Sequence, residues 1–219
     1  EIIAQEGLTI GSLKQYSESG NESFQQYFGK AIDNTSENFA ALNTAFAKDG
    51  AFIHLKKNTS LEFPVFIIHL YTADAAEEFV QSRNLIITEQ GSAIQLIEDF
   101  QNQSSSYFGN HVSEVFAAAN ANVEYTTLQL QNQGATAINF IEAELEKDAV
   151  FQCNTFTVEG KLIRNNVHAV LKGENAEASL NGLFFGKESN LIDNHILIDH
   201  TVPNCNSYQI YKGMLDDES

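Results

Sequence analysis

The rhythm of hydrophobic and polar positions changes near residue 50. Before it, Phe39, Leu42 and Phe46 recur at helical spacing, and Ala40, Ala41, Ala45 and Ala47 favour the helix. Asn34 is placed to cap it, with Glu37 three residues on reaching back to the cap. Lys48-Asp49-Gly50 reads as its stop, with Gly50 supplying a left-handed cap. Phe24, Tyr27 and Phe28 place another helix ahead of it. After Gly50 the pattern becomes strand-like. Residues 51–55, 65–71 and 84–88 are β-prone runs, the second just after Pro64. From there short strands alternate with turns rich in Gly, Asn, Asp and Glu. The expected division is a mixed, partly helical segment over 1–50 and a β domain over 51–219.

Within the β region a repeat stands out. Residues 92–97, 120–125, 148–153 and 175–180 each open on a small polar residue followed by alanine. The alanines, Ala93, Ala121, Ala149 and Ala176, are spaced 28, 28 and 27 residues apart. The last three repeats place Ala121/Val123/Tyr125, Ala149/Phe151/Cys153 and Ala176/Ala178/Leu180 on one face. Between them stand Asn122/Glu124, Val150/Gln152 and Glu177/Ser179, mostly polar. That is the period of a strand with one face inward. The first repeat breaks the rule, with Gln95 inward and Ile94 outward. Either the register slips there or both faces are covered. A repeat of this length built from strands and turns points to a solenoid, with the small alanine where the coil bends inward. Asn, Asp or Ser before it suits a turn, since these residues tolerate left-handed backbone. A mainly β parallel β-helix is therefore expected ahead of a β-sandwich with regular hairpins.

Composition narrows the function. Twelve Lys and Arg against 29 Asp and Glu give a formal net charge of −17. Such a surface repels phosphate backbones and anionic lipid, so no nucleic-acid or membrane partner is expected. Hydrophobic content of 43% and aromatic content of 11% exclude a disordered acidic tail. No apolar run approaches the about 20 residues a membrane helix needs. Two cysteines, Cys153 and Cys205, exclude a disulfide scaffold and fit a reducing, cytoplasmic setting. On a β-helix they sit nearly two rungs apart, roughly 9–10 Å at about 4.8 Å per rung, too far for a bridge. Glu1 in place of Met, and the charged run at 216–219, read as cut ends.

The candidate chemistry is sparse. Cys153 falls at an inward position and reads as a small core residue. His195, Leu197 and Asp199 share one strand face and His200 lies on the other with Ile196 and Ile198. His200 and Cys205 are the weak candidates for a soft-metal site, since imidazole and thiolate suit iron and zinc, but no standard ligand spacing accompanies them. A hydrogen-bonded histidine beside Asp199 and a tight turn at Pro203-Asn204 is the plainer reading. Arg164 is expected to pair with a nearby carboxylate. Nucleophile-elbow, Walker and dinucleotide motifs do not occur. No catalytic or cofactor-binding residue is assigned.

Taken together, several segments resemble the SufB/SufD family of iron–sulfur cluster assembly proteins. They include residues 39–46, 49–54 and 82–86, then Cys153-Asn154-Thr155-Phe156 and Gly160-Lys161-Leu162-Ile163-Arg164-Asn165. Leu171-Lys172-Gly173-Glu174-Asn175-Ala176, Leu180-Asn181-Gly182-Leu183, Asp199-His200-Thr201 and residues 205–213 extend the likeness over nearly the whole chain. It is nearer the SufD branch than SufB, because no CxxC or cysteine-rich N-terminal region is present. The resemblance implies a right-handed parallel β-helix core. It also implies a non-catalytic scaffold that pairs with SufB and binds a SufC ATPase through a C-terminal helical domain. The transient iron–sulfur cluster would belong to the whole complex and not to this fragment. The family's Cys-Ser-His-Gly-type segment finds no match here, so its histidine is carried onto no residue, and cluster-site residues are expected beyond Ser219. Self-association through exposed β-helix edges is a further expectation. The competing classes are a carbohydrate-active β-helix enzyme, which would need a converging Asp cluster, and a secreted adhesin solenoid.

Overall fold

The alternating runs after residue 50 pair in parallel, each with the run one repeat later, and so wind a solenoid of about five turns. The structure is a computed structural model and describes residues 5–32, 35, 37–71, 79–102, 106–216 and 218. Strands are numbered in chain order. β1 (Leu8–Ser12), β2 (Ala51–Leu55), β4 (Phe79–Thr88), β6 (Tyr107–Ala117), β8 (Ala135–Leu145), β10 (Leu162–Leu171) and β12 (Leu191–His200) form one sheet. The facing sheet holds β3 (Val65–Tyr71), β5 (Ala93–Asn102), β7 (Asn122–Leu130), β9 (Val150–Glu159), β11 (Glu177–Gly186) and β13 (Asn206–Leu215). Every ladder is parallel except β1 against β2. The mainly β, β-helical expectation holds.

The corners explain the repeat. Asn120 and Asp148 lie at φ 58° and Asn175 at φ 61°, the left-handed region that Asn and Asp tolerate. The following Ala121, Ala149 and Ala176 are fully buried where the chain turns inward. In the first repeat the register slips by one residue. Ala93 pairs with Asn122, and Ile94 and Leu96 pair with Val123 and Tyr125. Ser92 therefore takes the alanine's place, and Gly91, at φ 70°, takes the left-handed one. Ile94 and Leu96 are buried and Gln95 is exposed, the reverse of the first repeat's expected facing. The same ladder runs one rung further, since Asn206 pairs with Glu177, which puts Cys205 after Ala176 with Asn204 at φ 63°.

The N-terminal segment covers the outer face of the first sheet. α1 (Leu13–Glu18) and α2 (Glu22–Tyr27) bring Leu13, Tyr16, Phe24 and Tyr27 onto Phe52, Leu85, Ile87 and Phe116. β4 and β6 are consequently buried on both faces. α3 (Asn38–Phe46) corrects two expectations. It starts at Asn38 after Glu37, which makes no side-chain cap, while Asn34 lies outside the described residues. Its buried residues are Ala40 and Asn43, and Phe39 and Phe46 are exposed. Asn43 wins the inner face because its Nδ2 donates to Ser82 O and Asn110 O, at 2.9 Å each. Gly50 is not a left-handed cap. It is small because a Cβ there would meet the backbone of Arg83 on the adjacent strand.

Candidate functional site

The solenoid interior is not uniformly apolar. Along one edge the inward columns are hydrocarbon, for example Ile53–Ile86–Val115–Ala143–Ala169 and Ile94–Val123–Phe151–Ala178. Further along the same strands the inward column becomes Ser82–His111–Asn139–Asn165–Asn194. Opposite stand Glu98–Thr127–Thr155 and Gln129–Thr157. These side chains form a polar seam enclosed between the sheets.

The upper part of the seam centres on Glu98, 3% exposed. Its carboxylate accepts from His69 Nε2 at 2.8 Å, Asn84 Nδ2 at 2.7 Å and Tyr125 Oη at 2.8 Å. Ser113 Oγ lies 3.0 Å from Asn84 Nδ2 and 2.9 Å from Tyr125 Oη. A buried carboxyl group is tolerable only with such a set of hydrogen-bond partners. Beside it His111 sits between Ser82 Oγ at 2.7 Å and Tyr71 Oη at 3.0 Å. Burial, with nearby His69 second, holds the His111 imidazole well below its ordinary range, so it is neutral at pH 7. Burial pushes the Tyr125 and Tyr71 phenols up, so both stay protonated. His69 stacks on Phe100 with ring centres 4.6 Å apart.

The lower part is an amide and hydroxyl network. Asn165 Oδ1 accepts from Gln129 Nε2 at 2.7 Å and Asn139 Nδ2 at 2.9 Å. Thr157 Oγ1 donates to Gln129 Oε1 at 2.6 Å, and Asn165 Nδ2 donates to Asn194 Oδ1 at 3.0 Å. Chemically the seam fixes one carboxylate, two imidazoles and several hydroxyls in mutual contact, and its upper end, at His69, Tyr71 and Ser82, borders a pocket of about 1190 Å³.

The sequence candidates fall elsewhere. Cys153 is fully buried and free, and burial raises its thiol to about 12, so it is not a thiolate. Cys205 is also free, and its Sγ lies 3.4 Å from Gly173 O. His200 Nε2 contacts Ser207 Oγ at 3.0 Å. Among the described residues no group of three His, Cys, Asp or Glu side chains is placed to hold a metal ion. Arg164 does pair with a carboxylate, Nη1 to Asp193 Oδ2 at 2.6 Å. Asp199 is met by His168, not by His195 or His200. His168 bridges three strands on the outer face, Nδ1 to Glu142 Oε2 at 2.9 Å and Nε2 to Asp199 Oδ2 at 3.2 Å. Those carboxylates raise its pKa, the Glu142 hydrogen bond foremost. A groove of about 230 Å³ adjoins it, lined also by Glu37, Phe140 and His195.

The seam was missed although a signal existed. Stepping two and four residues past Tyr125 and Cys153 reaches Thr127, Gln129, Thr155 and Thr157, the polar end of each inward column.

Comparison with known proteins now bears on these features. The family model described as SUF system FeS cluster assembly, SufBD core domain, matches residues 70–219. The model of the SufBD protein N-terminal region matches residues 2–67. An iron–sulfur cluster assembly SufBD family protein of Staphylococcus epidermidis is 24% identical over 216 residues, covering 97% of this chain and 46% of its own. One from Staphylococcus saprophyticus is 26% identical over 222 residues, covering 98% and 46%. One from Synechocystis is 24% identical over 219 residues, covering 96% and 48%. The chain thus spans about half the length of the curated relatives it matches.

Proposed function

Because the chain belongs to the SufBD family of SUF-system iron–sulfur cluster assembly proteins, we propose that it is a SufD-like scaffold subunit that pairs with a SufB-like protein and a SufC-like ATPase in the cytoplasm. The nascent cluster is the cargo of that assembly. ATP hydrolysis belongs to the SufC-like partner, and this subunit contributes a rigid surface with no turnover of its own.

The observation that carries the reading is the ordered match of both family models, N-terminal region then core, over 2–67 and 70–219. Two further features support a scaffold. The densest polar cluster lies between the sheets, where Glu98 is bonded by His69, Asn84 and Tyr125. Cys153 is protected by full burial and a raised pKa.

The test is affinity purification of the full-length protein from its own cells. Recovery of a SufB homologue with SufC is expected. Recovery of a SufD homologue in place of SufB would reassign it to the SufB branch, and recovery of neither would overturn the assembly role.

A further inference from the structure

Between the two halves of the polar seam lies a small internal cavity. The space it leaves for the centre of a water-sized molecule is about 10 Å³. A single water needs roughly 10–15 Å³ in that measure, with two to four polar partners. The walls include Glu98, Ser113 and Thr127 on one side and Asn139, Thr155 and Asn165 on the other.

Three wall atoms, Thr127 Oγ1, Thr155 Oγ1 and Asn139 Oδ1, meet no protein partner at hydrogen-bond geometry, although the Cys153 thiol and the Tyr211 hydroxyl stand near Thr155. Their residues are 2%, 3% and 7% exposed, so bulk water does not serve them. The other polar neighbours are engaged. Asn139 spends its amide on Asn165, Gln129 is taken by Asn165 and Thr157, and Tyr125 is taken by Glu98 and Ser113. Each unpaired buried polar atom is costly, and three around one cavity is more than a packed core carries by chance.

We propose that this cavity is a built binding site for one ordered water molecule, held by Thr127, Thr155 and Asn139. The water donates to Asn139 Oδ1 and exchanges hydrogen bonds with the two threonine hydroxyls. It links the two threonine hydroxyls to the Asn139–Asn165 pair and so extends the lower hydrogen-bonded network of the seam. A second heavy atom does not fit, so the site selects water over any larger ligand.

Two measurements on the full chain decide the matter. A crystal structure at a resolution that orders internal waters should show a density peak about 2.7–3.2 Å from Thr127 Oγ1 and Asn139 Oδ1. An empty cavity, or rotamers that pair these atoms directly, overturns the site. Thr127→Val supplies an independent sign. If the water is present, the variant loses one of its hydrogen bonds and the unfolding equilibrium constant rises roughly 3- to 10-fold. If the cavity is dry, the variant removes an unpaired hydroxyl and the constant falls. A fall or no change overturns the proposal.

Discussion

At the scale of single residues, histidines set the pH response. His168 faces a carboxylate oxygen at each ring nitrogen, which only the doubly protonated ring satisfies. Its folded pKa is raised above the ordinary value of about 6.5. Its stabilisation is therefore complete below about pH 6.5 and is lost as pH rises through the folded value. Denaturation midpoints of the native protein and H168Q should be furthest apart near pH 6 and should converge as the pH rises above the folded pKa. A gap that stays constant with pH would refute the clip. His111 works in the opposite sense, because burial depresses its pKa. It contributes above about pH 6.5 and the contribution is lost on acidification. Arg83 and Glu114 form a second residue-scale device. Both are fully buried, with Arg83 Nη2 2.7 Å and Nε 3.0 Å from Glu114 Oε2. Glu114 also accepts from the amides of Gly29 at 2.9 Å and Ala31 at 3.0 Å, and so fastens the N-terminal segment to the solenoid. Glu114→Gln strands the Arg83 charge and should cost about 3–5 kcal/mol in urea denaturation. Amide exchange at Gly29 and Ala31 should quicken in the same variant.

At the scale of the element, the corner is the unit that repeats. One residue turns left-handed, the next is small and buried, and a strand begins. Asn120, at φ 58°, should accept glycine with little change, because glycine adopts that backbone freely. Asn120→Val should lose about 1–2 kcal/mol by chemical denaturation, because a β-branched residue resists the left-handed region. Equal stability of the two variants would mean that the corner is held by its neighbours alone. The corner also shows which part of the repeat was legible. Asn120-Ala121, Asp148-Ala149 and Asn175-Ala176 share residue types and were found. Gly91-Ser92 and Asn204-Cys205 do the same work with different side chains and were not. The requirement is φ and volume, which several residues meet, so letter matching sees only some rungs.

At the scale of the molecule, the two sheets differ. The N-terminal helices cover the outer face of the first sheet over β2, β4 and β6. On the second, Phe66, Ile68 and Leu70 of β3 remain exposed. The acidic residues Glu146 and Glu174 occupy exposed turns, while Glu98 and Glu114 lie inside or under the helices. The charge of −17 is therefore mostly a solvated surface, with the buried Glu98, Glu114 and Glu142 kept for hydrogen bonds within the protein. Among the described residues no helix is long and apolar enough to cross a membrane.

The sequence by itself determined the class of fold, the turn spacing and the facing of most strands. Period-two burial and corner geometry are local demands, and each is written within a few residues. It also carried the family, through segments spread over nearly the whole chain. Only the tertiary structure decided which polar residues meet. His69, Glu98 and Tyr125 come from three strands, Asn43 and Arg83 from a helix and the sheet beneath it, and His168 joins carboxylates two rungs apart. The stacking that brings them together is set by the winding of the whole chain, because a residue's neighbours in a solenoid lie a full turn away in sequence.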